Sequence, residues 1–286
     1  LGIGYEALKK RKPGIIFCSL NTFGQLGPYA SRPGHESIAQ AISGMMARFG
    51  SDKPALAPFA GNDYGTGLMG AYAVMLALLH RQKTGEGQHV DTALAYTATM
   101  LQSGLLQDHA GKQWNEPRGQ EALGRHALNR MYKAADAWIY LAGSPQQLSA
   151  CASLADFSAL SDNALEAALE AALEQRIAGR KAEEWVQELV AAGLGAHRVM
   201  TDFDELMESA VARERGLSIT REHDVIGRVR TSGPGPKLSL TPLTPGRPAA
   251  RPGSDAQSVL ADIGMQGELE QLVRERVIVV DGVVAG

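Results

Sequence analysis

The sequence predicts an α/β protein. A short, almost wholly apolar run at 15–20 is bounded by turn residues, as a strand buried within a parallel sheet requires, and His89 to Leu94 is a second candidate strand. Stretches with apolar residues at helical spacing lie between and after them. The resulting order of helix, turn, strand and helix is that of α/β architecture.

Taken in order, residues 4–12 read as the end of a short amphipathic helix that Pro13-Gly14 stops. Ile15 to Leu20 is the first strand, and Asn21 to Gly34, punctuated by Gly and Pro, is a loop. Ile38, Ala41, Ile42, Met45, Met46 and Phe49 mark one helix over 35–49. A loop over 50–65 leads to a helix from Thr66 to Gln82 that is apolar on nearly every side and therefore expected to be buried. After the turn Thr84-Gly85-Glu86-Gly87 come the second strand and a helix through Leu106. Residues 107–129 are polar and irregular; Arg130 to Ala142 reads as a strand opening a second region. Ala164 to Gly193 is helical, packed through Leu165, Leu169 and Leu173, with Glu170–Glu174 and Glu184–Glu188 repelling mildly. A short strand at 196–199, a helix at 202–215, a Pro-rich extended stretch at 232–252 and a helical unit at 254–278 complete the chain.

Composition narrows the function. The 286 residues carry 28 Lys+Arg against 31 Asp+Glu, a net charge of −3, which gives no field to attract nucleic acid or anionic lipid. The apolar stretches fall short of the ~20 residues that a membrane helix needs. Cys18 and Cys151 are too few for a disulfide framework or a zinc cluster. His80 and His89 have no carboxylate or Cys at metal spacing, so no metal site is expected.

Two segments can carry chemistry. In Ala60-Gly61-Asn62-Asp63-Tyr64-Gly65-Thr66-Gly67, Asp63 stands at the start of a helix, where unpaired N–H groups and the helix dipole favour an anion. Such a carboxylate either caps the helix or acts as a nucleophile beside a site that steadies an oxyanion. The glycines would leave room for a bulky substrate. In Arg32-Pro33-Gly34-His35-Glu36, His35 precedes a helix and reads either as a general base or as a residue bonded to its own turn. Other signals are weaker. Arg125, His126 and Arg130 form a basic cluster suited to phosphate or to a solvated loop; Cys18 reads as inert core, and Trp114, Trp138 and Trp185 as packing residues. Ser19 lacks the Gly-x-Ser-x-Gly elbow of a hydrolase.

The order of these segments is more specific than any one of them. Pro13 to Ser19, Phe23-Gly24-x-x-Gly27-Pro28-Tyr29, Arg32 to Ala41, Asn62 to Gly67, Leu79 to Asp91, Tyr132 to Ile139, and the tail blocks Leu238–Pro242 and Val259–Gly264 together resemble the class III CoA-transferase family. That family includes formyl-CoA and carnitine CoA-transferases and the 2-methylacyl-CoA racemases. The most specific block is Arg81-x-Lys83-Thr84-Gly85-x-Gly87-Gln88-x-Val90-Asp91, and the resemblance runs over essentially the whole chain.

The resemblance implies a Rossmann-like large domain at 1–106, a linker at 107–124, a smaller α+β domain at 125–235, and a Pro-rich linker and C-terminal helix at 236–286 returning to the large domain. It implies a cytoplasmic enzyme with Asp63 as catalytic nucleophile, no permanently bound cofactor, and coenzyme A or acyl-CoA as substrate. Thr22, Gly24 and Arg48 are then the expected coenzyme A contacts. In the racemase branch, residues matching His35 and Asp63 form an acid–base pair; a non-catalytic partner subunit is the third alternative. The Asn62 to Gly67 block looks more like the transferase type, although the glycine lid of some members has no counterpart near Gly124–Tyr132. Members begin with a nucleotide-binding half, so the chain is expected to be the later two-thirds of a longer protein, inactive alone. Expected associations are an interlocked homo- or heterodimer, or assembly with that N-terminal segment, with acyl-CoA and carboxylic acid as the small-molecule partners.

Overall fold

The computed structural model describes residues 2–113, 118–160 and 165–280; Trp114 lies outside them. By contacts the chain divides into two compact units, Leu1–Arg198 and Val199–Gly286.

In the first unit, α1 (Tyr5–Arg11) precedes β1 (Phe17–Asn21). The strand starts later than expected because Ile15 N–H turns back to the Lys12 carbonyl, at 2.9 Å. The helix expected over 35–49 is two, α2 (Glu36–Ile42) and α3 (Met45–Phe49). They are separated at Gly44, whose φ of 80° interrupts the helical backbone. Next comes α4 (Gly61–Thr84), which begins five residues before the expected Thr66. It ends at Gly85, in the left-handed conformation, with Gly85 N–H bonded to the Arg81 carbonyl at 2.8 Å.

β2 (His89–Ala93) runs parallel to β1, with Phe17 opposite His89 and Asn21 opposite Ala93. A parallel pair needs a long crossover, and α2 to α4 supply it. α5 (Leu94–Leu101) and α6 (Ser103–Leu106) follow.

The expectation that the α4 region is buried on all sides is overturned. Among its residues only Asn62, Thr66, Gly70 and Ala77 are buried, while Leu68, Tyr72 and Met75 are each at least 60% exposed. The physical reason is geometric: β1, β2, α2 and α5 pack against α4, whose buried residues Asn62, Thr66, Gly70 and Ala77 fall on one stripe of the helix.

The core of the first unit lies around the sheet β3 (Gly124–His126), β4 (Asn129–Lys133), β5 (Trp138–Ala142) and β6 (Gly195–Arg198), paired in that order. The single strand expected at 130–142 is thus a hairpin, closed by Ala134 N–H to the Ala137 carbonyl at 2.9 Å. Against it pack α7 (Pro145–Ala150), a 3-10 turn at Ala155–Leu160, α8 (Glu166–Ile177) and α9 (Ala182–Ala191). The long helix expected at 164–193 breaks because Asp136 accepts the Ala182 N–H at 2.8 Å, capping α9 from the hairpin turn.

Tyr132, Ile139, Leu141, Leu169, Leu173, Ile177, Trp185 and Leu189 are sealed from solvent, each large apolar side chain worth ~1.5–3 kcal/mol. Trp138, by contrast, faces outward, with Lys133 5.8 Å from its ring centre. Both acidic pairs expected to repel are bridged by arginine. Arg130 turns inward to Glu170 and Glu174, and Arg180 reaches Glu184 at 3.4 Å and Glu188 at 2.7 Å. Arg130 is therefore structural, not part of an exposed basic cluster with Arg125 and His126.

The second unit holds α10 (Phe203–Glu208) and α11 (Ala210–Glu214), separated at Ser209, which caps α11. An unexpected hairpin follows, β7 (Ser218–His223) and β8 (Gly227–Ser232), whose turn is organised by His223 Nδ1 accepting the Val225 N–H at 3.0 Å. Residues 233–252 carry no helix or strand. Arg221 holds them by donating to the Gly246 and Arg247 carbonyls at 2.5 and 3.2 Å. The expected closing helix is α12 (Ala256–Asp262) and α13 (Leu269–Arg274), interrupted at Gly264, where φ is 76°. Among the described residues no helix is long and apolar enough to cross a membrane.

Candidate active site

The candidate site is built where the N-termini of α2 and α4 converge. Helix α4 opens on Ala60, which offers no side-chain cap, and Asp63 is its third residue. The first-turn N–H groups of a helix have no partner within it, and its positive end favours a carboxylate. Here the carboxylate is Glu36, the first residue of α2. Its Oε2 accepts the Asp63 backbone N–H at 2.8 Å. Its Oε1 accepts from Asn62 Nδ2 at 2.7 Å and Gln40 Nε2 at 2.9 Å. Gln40, itself buried, clasps Ala57 through both its carbonyl and its N–H, at 3.2 and 3.0 Å.

Because Glu36 caps α4 from a neighbouring helix, Asp63 is not the cap. Its side chain is exposed, and its carboxylate makes no hydrogen bond or ion pair among the described residues. Glu36 lay inside the motif around His35 but received no role from spacing. A Glu opening one helix and an Asn-Asp pair opening another are the signals that would have joined them. One consequence narrows the oxyanion idea: part of the donor set at the start of α4 is already taken by Glu36.

His35 is the N-cap residue of α2, and its carbonyl accepts the Ile38 and Ala39 N–H groups at 3.0 and 3.1 Å. Its exposed ring has no partner among the described residues. The adjacent Glu36 ties His35 to the α4 N-terminus, so both residues belong to one locality, without a direct bond between them.

The glycines do two different things. A Cβ at Gly65 would lie 2.6 Å from Thr97 Cγ2, so Gly65 serves the close packing of α4 on α5, beside the buried Thr66–Thr97 hydroxyl pair at 2.6 Å. Gly67 has open space around it and is the one that leaves room.

Thr22 and Gly24 lie in the loop after β1. Thr22 is buried, with its side chain packed against Gly34 and its carbonyl accepting the Ala95 N–H at 2.9 Å. Gly24, at φ +87°, lies under Tyr96, whose hydroxyl would be 2.0 Å from a Cβ there. Asn21 Oδ1 steadies this loop by accepting the Phe23 and Gly24 N–H groups at 3.1 and 2.5 Å. Arg48 lies in the last turn of α3 and lines two adjoining clefts of about 250 and 300 Å³.

The remaining candidates are occupied structurally. His89 Nε2 meets Ser19 Oγ at 2.8 Å while Tyr5 stacks on its ring, with centres 5.4 Å apart. Burial, and then Asp91, push the Cys18 thiol up, which keeps it protonated and inert. Burial likewise pushes Cys151 to about 11.

The profile of CoA-transferase family III matches residues 1–256. The succinyl-CoA:glutarate CoA-transferase of Mus musculus is 26% identical, over 97% of this chain and 67% of its own length. The alpha-methylacyl-CoA racemase of Homo sapiens is 28% identical, over 97% of this chain and 75% of its own. The crystal structure of a CAIB/BAIF family protein from Brucella suis superposes with a TM-score of 0.72 at 26% identity, covering 92% of this chain and 71% of that one. The chain spans about two thirds of the length of the curated CoA-transferases it matches. It belongs to CoA-transferase family III.

Proposed function

We propose that this member of CoA-transferase family III moves coenzyme A between an acyl-CoA and a free carboxylic acid, with Asp63 as the nucleophile. The Asp63 carboxylate attacks the thioester carbonyl; the carbon–sulfur bond breaks, and CoA leaves as thiolate, giving an acyl–aspartyl anhydride. The thiolate then attacks the aspartyl carbonyl and releases the first acid as carboxylate, leaving an aspartyl–CoA thioester. A second carboxylate enters by the reverse pair of steps and departs as the new acyl-CoA, restoring Asp63.

One observation supports this reading above the others. Glu36 takes over the capping of α4, so the Asp63 carboxylate is left without an internal partner. An anion that is neither capping nor paired keeps its lone pairs for a substrate carbon. Holding the Asp63 N–H fixes the backbone behind the nucleophile, which favours a near-attack geometry. Thr22, Gly24 and Arg48 stand in this proposal as coenzyme A contacts, and an interlocked dimer as its assembly. Replacing Asp63 by Asn or Ala should abolish CoA exchange between acids; full exchange in either variant overturns the proposal.

A racemase relative and the exposed His35 ring favour a second reading, in which His35 and Asp63 remove and return an α-proton on opposite faces. It predicts solvent deuterium at the α-carbon of a 2-methylacyl-CoA with no acceptor acid present, lost equally in His35→Ala and Asp63→Ala. The transferase reading predicts no such incorporation and no exchange without an acceptor.

A further inference from the structure

The second compact unit holds a polar cavity, none of whose residues enters the candidate site. Its frame is the β7–β8 hairpin, in which Ser218, Thr220 and Glu222 lie opposite Ser232, Arg230 and Arg228. Directly opposite residues of an antiparallel pair share a face, and so do alternate residues of one strand. Ser218, Thr220, Arg228 and Arg230 therefore stand on one face of the hairpin. Helix α11 packs against β7, and the Leu217 N–H bonds to the Ala212 carbonyl at 2.8 Å. That junction carries Arg213 to the same space, a cavity of about 380 Å³ that Met207 and Glu208, at the end of α10, also line.

The cations of this cavity are unequally matched. Arg230 donates to Glu208 at 2.9 Å and lies 3.6 Å from Asp204, so its charge is answered within the unit. The Arg213 and Arg228 guanidinium groups make no hydrogen bond or ion pair among the described residues. Glu222, opposite Arg228, makes no ion pair with it and lines a separate space of about 170 Å³. A second observation is independent of charge. Ser218 is only 8% exposed, yet its hydroxyl lines the cavity without a hydrogen-bond partner among the described residues. The Thr220 hydroxyl likewise has none among them. A shielded hydroxyl normally finds a partner, because leaving it without one costs free energy.

We propose that this cavity binds a phosphoryl group, with Arg213 and Arg228 as its charge partners and Ser218 and Thr220 as hydroxyl donors. Two unanswered guanidinium groups match a dianion, and a phosphomonoester carries about −1.5 to −2 at pH 7, more than a carboxylate can. The donors converge from a helix and two strands. That arrangement suits the three splayed oxygens of a phosphoryl group better than the flat pair of a carboxylate. The volume is that of a small-molecule site, so the group arrives on a carrier: coenzyme A or a separate phosphorylated metabolite. The inference does not depend on the transferase reading.

Isothermal titration calorimetry of the protein tests it, at about 0.15 M salt, where attraction between exposed charges is screened beyond ~8 Å. Inorganic phosphate and pyrophosphate should bind saturably, and succinate at matched ionic strength should bind about 10-fold more weakly or less. Arg213→Gln and Arg228→Gln, at exposed positions, should each weaken pyrophosphate binding about 10- to 100-fold, and Ser218→Ala about 3- to 10-fold. Arg228→Lys should recover part of the loss, and thermal melts without ligand report whether each variant is folded. Titration with coenzyme A identifies the carrier. An Arg228→Gln loss shared by coenzyme A and pyrophosphate makes it coenzyme A, whereas an unchanged coenzyme A affinity makes it a separate molecule. Absence of saturable phosphate and pyrophosphate binding, equal affinity for succinate, or affinities that folded Arg213→Gln, Arg228→Gln and Ser218→Ala proteins retain would each overturn the inference.

Discussion

Glu36→Gln tests the capping arrangement most sharply, because it removes a charge while keeping the shape of the side chain. In the native protein both carboxylate oxygens accept: Oε1 from Asn62 and Gln40, Oε2 from the Asp63 N–H. A glutamine has one acceptor and one donor group. If its oxygen stays with Asn62 and Gln40, its NH₂ faces the Asp63 N–H, a donor against a donor at a native separation of 2.8 Å. Turning the amide over instead sets its NH₂ against two donors. In the first orientation the charge-assisted hydrogen bond at the nucleophile's backbone is lost, about 1.5–3 kcal/mol. In the second that bond survives only as a neutral one and two others are lost, which is costlier, so the first is expected. If that bond holds Asp63 in its reactive position, kcat for CoA transfer falls about 10- to 100-fold. Glu36→Ala adds a stability cost. Asn62 is fully buried and its Oδ1 already lacks a partner, so leaving Nδ2 with only the weak Met45 sulfur acceptor, at 3.5 Å, costs about 1–3 kcal/mol. Steady-state kinetics beside urea melts separate the two effects. A folded Glu36→Gln protein with unaltered kcat would refute the argument that Glu36 positions Asp63.

Three further outcomes follow from the same structure. Gly65→Ala should destabilise by about 1–3 kcal/mol in a urea melt, because the new methyl meets Thr97, a stiff side chain tied to Thr66. Gly67→Ala meets nothing and should stabilise α4 by roughly 0.5–1 kcal/mol while lowering activity, if the open space serves the substrate. Glu188 sits at about 2, against an ordinary 4.5, held down first by hydrogen bonding to Ser153 and then by Arg180. Its folded value lies below its unfolded one, so its contribution is fully present above about pH 4.5 and is lost as pH falls towards about 2. The depression corresponds to about 3 kcal/mol. Denaturant melts between pH 6 and pH 2 (roughly the window that linkage defines) should show this loss, and Glu188→Gln should flatten it.

Much of the fold was legible because local signals and tertiary packing agreed. The first parallel strand announced itself as an apolar run between turn residues, the second followed a marked turn, and Pro13-Gly14 and Gly85 ended helices near where expected. Errors arose where a distant residue decided the outcome. Nothing near Lys181 shows that Asp136 will cap a second helix there. Nor does the Glu170–Glu174 spacing reveal that Arg130 will neutralise the pair from the sheet. The β7–β8 hairpin was missed because its strands are polar on both faces, rich in Arg, Thr and Ser, and leave no alternation to read. At the site, Asp63 and His35 stood out by residue type and context, yet the reason Asp63 is unencumbered lies 27 positions away in Glu36. The apolar α4 misled for a related reason: hydrophobicity predicts a wish for burial, whereas exposure depends on which elements lie against the helix.

The central claim, that Asp63 forms a covalent link to the acid, is tested most directly by following oxygen. An acceptor acid labelled with ¹⁸O in both carboxylate positions attacks the aspartyl–CoA thioester through one labelled oxygen. When thiolate then takes the acyl group, that oxygen stays on the aspartate. Incubation of the protein with acyl-CoA and labelled acid, followed by peptide mass spectrometry, should find one heavy oxygen on the peptide containing Asp63 after a single turnover, a second after repeated turnovers, and none when either substrate is omitted. Continued CoA transfer with only light oxygen at Asp63 would contradict the account.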